Sequence, residues 1–127
     1  MTLTDEVREY WDANPCGTFA TAEPGTKLYF DEIEQYRYRV EPYIPDFAAF
    51  PRWRGKRVLE VGVGAGTDFV NFARHGAQLS GVDLTEAAVD HARKRLSDCA
   101  PPNGKVRISD PRHRAGRAPD IARAEGA

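Results

Sequence analysis

The sequence has no run of 18 apolar residues, so no stretch reads as a membrane-spanning helix. It has almost no net charge: 18 Lys and Arg stand against 19 Asp and Glu, for a balance of −1 over 127 residues. Nothing in that balance asks for nucleic acid or an anionic membrane surface as a partner. The start of the chain carries Asp5 and Glu6 rather than the basic and apolar regions of a signal peptide. Cysteine is scarce. Cys16 and Cys99 lie far apart with no C-x-x-C, which suits two reduced, non-catalytic thiols and a cytoplasmic setting. His75, His91 and His113 have no metal-ligand spacing, and each reads as a surface residue, so no metal site and no catalytic residue are assigned.

What is present centres on Arg57 to Thr67. Val58, Leu59 and Val61 make a short apolar strand around Glu60, and the strand stops at glycine. Gly62, Gly64 and Gly66 follow at every second position, and Thr67-Asp68 opens a helical pattern. Strand, glycine turn and helix form a geometry in which backbone N–H groups can face a ligand. A dinucleotide fingerprint, G-x-G-x-x-G, would need glycine at 67, where this chain has threonine. Here the pattern is E-x-G-x-G-x-G. An acid so close to the turn would repel a pyrophosphate but attract an amino group or a sulfonium. Asp83 lies 21 positions after Gly62, near the ~20-residue spacing of an acid that grips ribose hydroxyls.

These residues resemble a known family, the class I S-adenosylmethionine (SAM)-dependent methyltransferases. Glu60-Val61-Gly62-Val63-Gly64-Ala65-Gly66 is similar to their motif I, and Gly81-Val82-Asp83-Leu84-Thr85 to the acidic end of their second strand. The resemblance runs from about Tyr10 to Asp110 and points to the small-molecule and quinone-type members. It implies SAM as cofactor and a small-molecule methyl acceptor. It also implies that Gly62, Gly64 and Gly66 let backbone approach the methionine part and ribose, and that Glu60 acts on the amino end. By the same resemblance, Asp83 accepts from both ribose hydroxyls, Leu84 lies against adenine and Asp110 accepts from the adenine N6 amine. The structural alternatives are a strand-end salt bridge for Glu60 and a helix or turn cap for Asp110. Thr67 reads as a helix N-terminal residue.

Around this centre the periodicities predict an ordered set of elements. Thr4 is placed to cap a first helix bearing Val7, Tyr10 and Trp11 on one face, ended by Asn14-Pro15-Cys16-Gly17. Residues 18–26 read as a loop. A second helix from about Lys27 to Val40 has Phe30, Ile33 and Val40 on its inner face and Glu32, Glu34 and Gln35 on its wet side. Tyr10, Trp11 and Tyr29 are candidates to cover a pocket, because flat aromatic faces exclude water and attract a sulfonium. A helical turn is expected through 46–50, a helix from Thr67 to His75, a strand from Gln78 to Leu84, and a helix capped by Thr85 with Ala88, Val89, Ala92 and Leu96 inside. Asp90 and Lys94 read as an i, i+4 pair on that helix. After the Pro101-Pro102-Asn103-Gly104 loop comes a third strand, Lys105 to Ser109.

The fold class is therefore α/β: the first half of a Rossmann-like doubly wound sheet, β-α-β-α-β, preceded by N-terminal helices. Three segments follow: 1–54 helical and aromatic, 55–110 a partial SAM-binding domain, and 111–127 a tail. The tail holds four Arg, five Ala, two Pro and two Gly, with Ile121 its only large aliphatic, a composition expected to be disordered. Such a composition is also what a GC-rich gene yields out of frame, so the family-like reading is expected to stop near Asp110 through a frameshift or truncation. Members of the family continue with a fourth strand beside the first, which would leave the Val58–Val61 strand here as an open edge, a setting for self-association. Weak or absent turnover of the chain alone is the corresponding expectation. The rival readings are an NAD(P)-binding oxidoreductase fragment and a non-catalytic binding subunit completed by a partner chain.

Overall fold

The structure is a computed structural model that describes residues 1–99 and 105–109. The 101–104 loop, Asp110, His113 and the 111–127 tail lie outside the described residues, and with them the expectations placed there. The elements are α1 (Leu3–Ala13), α2 (Lys27–Val40), α3 (Ile44–Ala48), a 3-10 turn (Phe50–Trp53), β1 (Arg57–Val61), α4 (Thr67–Arg74), β2 (Gln78–Val82), α5 (Glu86–Cys99) and β3 (Val106–Ser109).

The three strands are parallel in the order β1-β2-β3, with Leu59 beside Ser80 and Ser80 beside Arg107. Parallel neighbours need crossover connections, and α4 and α5 supply them. Both helices cover the same face of the sheet, because one alternate set of strand residues (Val58, Leu79, Val106, Ile108) shares a core with Phe69, Ala73, Val89 and Ala92. Gly81 belongs to that face for a steric reason: a Cβ there would sit 2.6 Å from the Phe69 ring. Among the described residues nothing covers the opposite face of β1, where Leu59 is 64% and Val61 75% exposed.

Outside α4 and α5 lies α2, which buries Tyr29, Phe30 and Ile33. Its bounds match the sequence pattern, but its faces differ from it. Val40 is exposed, and Glu34 is not on the wet side. Glu34 accepts from Asn71 Nδ2 at 2.8 Å and from Arg74 Nη1 at 3.0 Å, and Arg95 Nη2 stands 3.5 Å away. Glu32 also turns inward, accepting the backbone N–H groups of Thr21 at 2.6 Å and Ala22 at 3.0 Å, which pins the 18–26 loop onto the helix.

Two smaller expectations are corrected. Thr2, not Thr4, caps α1: it forms a reciprocal capping box with Asp5, the residue three positions on. On α5 the ion pairs are Asp90 with Arg93 at 3.9 Å and Lys94 with Asp98 at 2.8 Å, rather than Asp90 with Lys94.

Candidate functional site

The carboxyl ends of β1 and β2 open into a cleft of about 660 Å³. Crevices at strand carboxyl ends are where open α/β sheets take ligands. One wall is the glycine turn. Gly62, Gly64 and Gly66 all have positive φ, at 76°, 57° and 76°, which an L side chain adopts at a cost. Their surroundings divide them by task. A Cβ on Gly62 or Gly64 would meet only open space, whereas one on Gly66 would press 3.2 Å from Ala92 Cβ. The first two leave room above the backbone; the third lets α5 pack close behind the turn. Between them, Val63 turns into the sheet core.

The second wall is the end of β2. Asp83 Oδ2 accepts from Gly64 N–H at 2.9 Å, while Oδ1 accepts from Thr85 N–H at 3.0 Å and Thr85 Oγ1–H at 3.1 Å. Asp83 thus joins the two loops that frame the cleft and leaves acceptor capacity on a carboxylate at its rim. Val82, Leu84 and Ala88 continue this wall, and Val7, Trp11, Pro15, Cys16 and Thr18 close the far side.

The fold that carries this cleft is shared with solved methyltransferases. Over 84% of this chain and 50% of the other, the structure is similar to magnesium protoporphyrin IX methyltransferase of Synechocystis with bound SAH, at TM-score 0.60 and 18% identity. It is also similar to a geranyl diphosphate C-methyltransferase of Streptomyces coelicolor, at TM-score 0.53 and 17% identity over 87% of this chain and 47% of that one. At these identities the likeness concerns the fold. In sequence, the chain is 31% identical over 90 residues to an S-adenosyl-L-methionine-dependent Diels-Alderase of Talaromyces variabilis, covering 71% of this chain and 30% of that protein. A family profile described as a methyltransferase domain matches residues 58–119, the stretch that begins at β1 and contains the glycine turn and Asp83. The matched domain is that of the SAM-dependent methyltransferases. It spans about half the length of the two solved methyltransferases and less than a third of the Diels-Alderase.

Of the residues that the methyltransferase motif nominates, Gly62, Gly64, Asp83 and Leu84 line the cleft together. Gly66 stands behind the turn as the N-cap of α4. Asp110 lies outside the described residues. Among the described residues, Glu60 is not on the cleft wall and forms no strand-end salt bridge. Its largely buried carboxyl has one oxygen, Oε2, shut off from solvent with no hydrogen-bond partner among those residues. Burial, and then the negative charge of Asp68, push this carboxyl up to about 8, against a smaller opposite pull from Arg37. Asp68 itself is held by Arg37 Nη2 at 2.7 Å and by Tyr38 O–H at 2.9 Å.

The aromatic candidates separate. Trp11 lines the cleft, Tyr10 is exposed, and Tyr29 is buried in α2, stacked 5.6 Å from His91. His91, expected at the surface, is half-buried and also lines the cleft, with Nε2 buried and unpartnered. Burial and the nearby Arg95 charge lower its pKa, so the neutral ring prevails. Its position between Ala88 and Ala92 on the packing face of α5 was the available signal.

α1 buries none of its residues completely and reaches α5 by a bond from Ala87 N–H to Asp12 Oδ1 at 3.3 Å. Trp11→Ala is therefore expected to leave the melting temperature nearly unchanged. A flat aromatic wall on a bound cation contributes about 1 kcal/mol, so SAM affinity should fall about fivefold, read by calorimetry.

Proposed function

We propose that the protein binds SAM in this cleft and serves methyl transfer to C, O or N of a small-molecule acceptor. The observation that carries the reading is the open backbone of Gly62 and Gly64 beside a carboxylate, Asp83, that is bonded to the same turn. These residues fit the group. Gly62 and Gly64 give close backbone approach, Asp83 at the rim would accept from ribose hydroxyls, and Leu84 and Val82 offer an apolar surface for adenine. When bound, SAM supplies a methyl group already activated on a sulfonium. The chain's own contribution is to orient the cofactor and exclude water: the lining is mainly apolar, and Val7, Trp11 and Pro15 cover it from the side opposite the sheet. Among the described residues Asp83 is the one carboxylate on that lining, and the neutral His91 adds no charge.

The cellular setting that suits this reading is the cytoplasm. Both cysteines are free thiols, and no helix among the described residues is long and apolar enough to cross a membrane.

Calorimetric titration with S-adenosylhomocysteine (SAH) and, separately, with NADH tests the cofactor. SAH binding without NADH binding is the expected result, and the reverse would favour the oxidoreductase reading. Methyl transfer is a separate question, since the Talaromyces relative is SAM-dependent yet is named for a Diels–Alder reaction.

A second reading, association through β1, is favoured by the unpaired outer edge of that strand among the described residues and by the exposure of Leu59 and Val61. Concentration-dependent dimers are expected in sedimentation, and Leu59→Lys is expected to return the protein to monomer. A wild-type monomer at all concentrations would remove the reading.

A further inference from the structure

We infer that Arg95 is a positioning residue for the cofactor turn, holding Ala65-Gly66-Thr67 from behind and tying its shape to the docking of α2. The inference rests on the SAM reading of the cleft. Arg95 sits in the third turn of α5 with 0% exposure, a rare state for a guanidinium. Its two terminal nitrogens serve different elements. Nη1 donates to Thr67 Oγ1 at 2.7 Å and, more weakly, to Ala65 O at 3.4 Å, both in the turn that leads into α4. Nη2 donates to Phe30 O at 3.1 Å and faces Glu34 Oε2 at 3.5 Å, both on α2. The guanidinium also stands 5.3 Å from the centre of the Phe30 ring. The stem contributes as well, since Gly66 packs against Ala92, with Arg95 Cδ next nearest.

A planar fork with donors on two sides is what such a bridge requires, and an ammonium could not reproduce it. Packing alone does not explain the choice, because an apolar side chain would fill the same space without burying a charge. The fork adds a fixed distance between Phe30 O on α2 and Thr67 Oγ1 in the turn. A turn held in its binding shape before the ligand arrives needs less ordering on binding, which appears as affinity.

The test uses Arg95→Met, which keeps the stem and removes the donors, and Thr67→Val, which removes only the nearer of the two acceptors in the turn. Both are compared with wild type and the double variant at a temperature where all are folded. The expected result is about a tenfold rise in SAH Kd for each single variant, with the double variant no worse than the singles. Faster amide hydrogen exchange at Gly66 and Thr67 should accompany it in the free protein. Arg95→Lys should recover only part of the affinity.

Wild-type SAH affinity in a folded Arg95→Met variant, or independent and additive losses, would overturn the inference. Should Arg95→Met not fold, Thr67→Val decides: unchanged SAH affinity and unchanged exchange in the turn overturn it. A wild-type protein that binds no SAH refutes the cofactor reading instead, and the exchange rates then still judge whether Arg95 holds the turn.

Discussion

Asp83→Ala is expected to weaken SAH binding by a hundredfold or more while the protein remains folded. In the proposed site this carboxylate accepts from two ribose hydroxyls, and hydrogen bonds to a charged acceptor contribute about 1.5–3 kcal/mol each. The structure adds a second reason for a large effect. Asp83 already holds Gly64 N–H and Thr85 N–H and Oγ1–H, so removing it frees both loops of the cleft. Asp83→Asn should be nearly as damaging despite its shape. Whichever way the amide is turned, its NH2 faces a donor, either Gly64 N–H or the Thr85 pair. The cost to folding is smaller, about 1–3 kcal/mol for donors left without their partner. Calorimetry with SAH and thermal unfolding read the two effects separately. Retained SAH affinity in both variants would take Asp83 out of the site.

Much of this site is local in sequence, which is why it could be read there. The turn, its three glycines and the following helix occupy consecutive positions, and Asp83 directly follows the strand hydrogen-bonded beside the first. The order of α2, β1, α4, β2, α5 and β3 follows from periodicity and punctuation in the same way, though β2 ends at Val82 rather than at Leu84. The Thr2 cap was also readable, because Thr2-x-x-Asp5 satisfies the capping-box spacing and Thr4-x-x-Val7 does not. What escaped were the long-range polar contacts. Glu34 lies on the flank of the Phe30–Ile33 stripe, and nothing in α2 reveals that Arg74 and Arg95, far along the chain, will meet it. Glu60 was read through its neighbours in the motif. That its carboxyl lies beside Asp68, away from the cleft wall, depends on how α4 is set against β1.

Glu60 gives the strongest expected pH effect. Its carboxyl titrates near 4.5 when free and about 8 in the folded protein. Between those values the folded state holds a proton that the unfolded chain has released, so stability must fall as pH rises through that window. The full destabilisation is reached above pH 8 and is absent below about pH 4.5. A shift of this size corresponds to about 5 kcal/mol as an upper figure. Glu60→Gln keeps the shape and cannot ionise, so the variant should be more stable than wild type by a few kcal/mol at pH 9 and within about 1 kcal/mol at pH 5. Urea unfolding at the two pH values measures the difference, and parallel curves would show that Glu60 is ionised throughout. The same burial separates the group from the cleft. Glu60 is not on the cleft lining and its Oε2 is shut off from solvent, so SAH binding near neutral pH should leave its proton in place. Calorimetry of SAH binding in buffers of different ionisation enthalpy should show the same heats for wild type and for Glu60→Gln. Proton release approaching one per site in the wild type, lost in Glu60→Gln, would instead place the ligand's amino group beside this carboxyl.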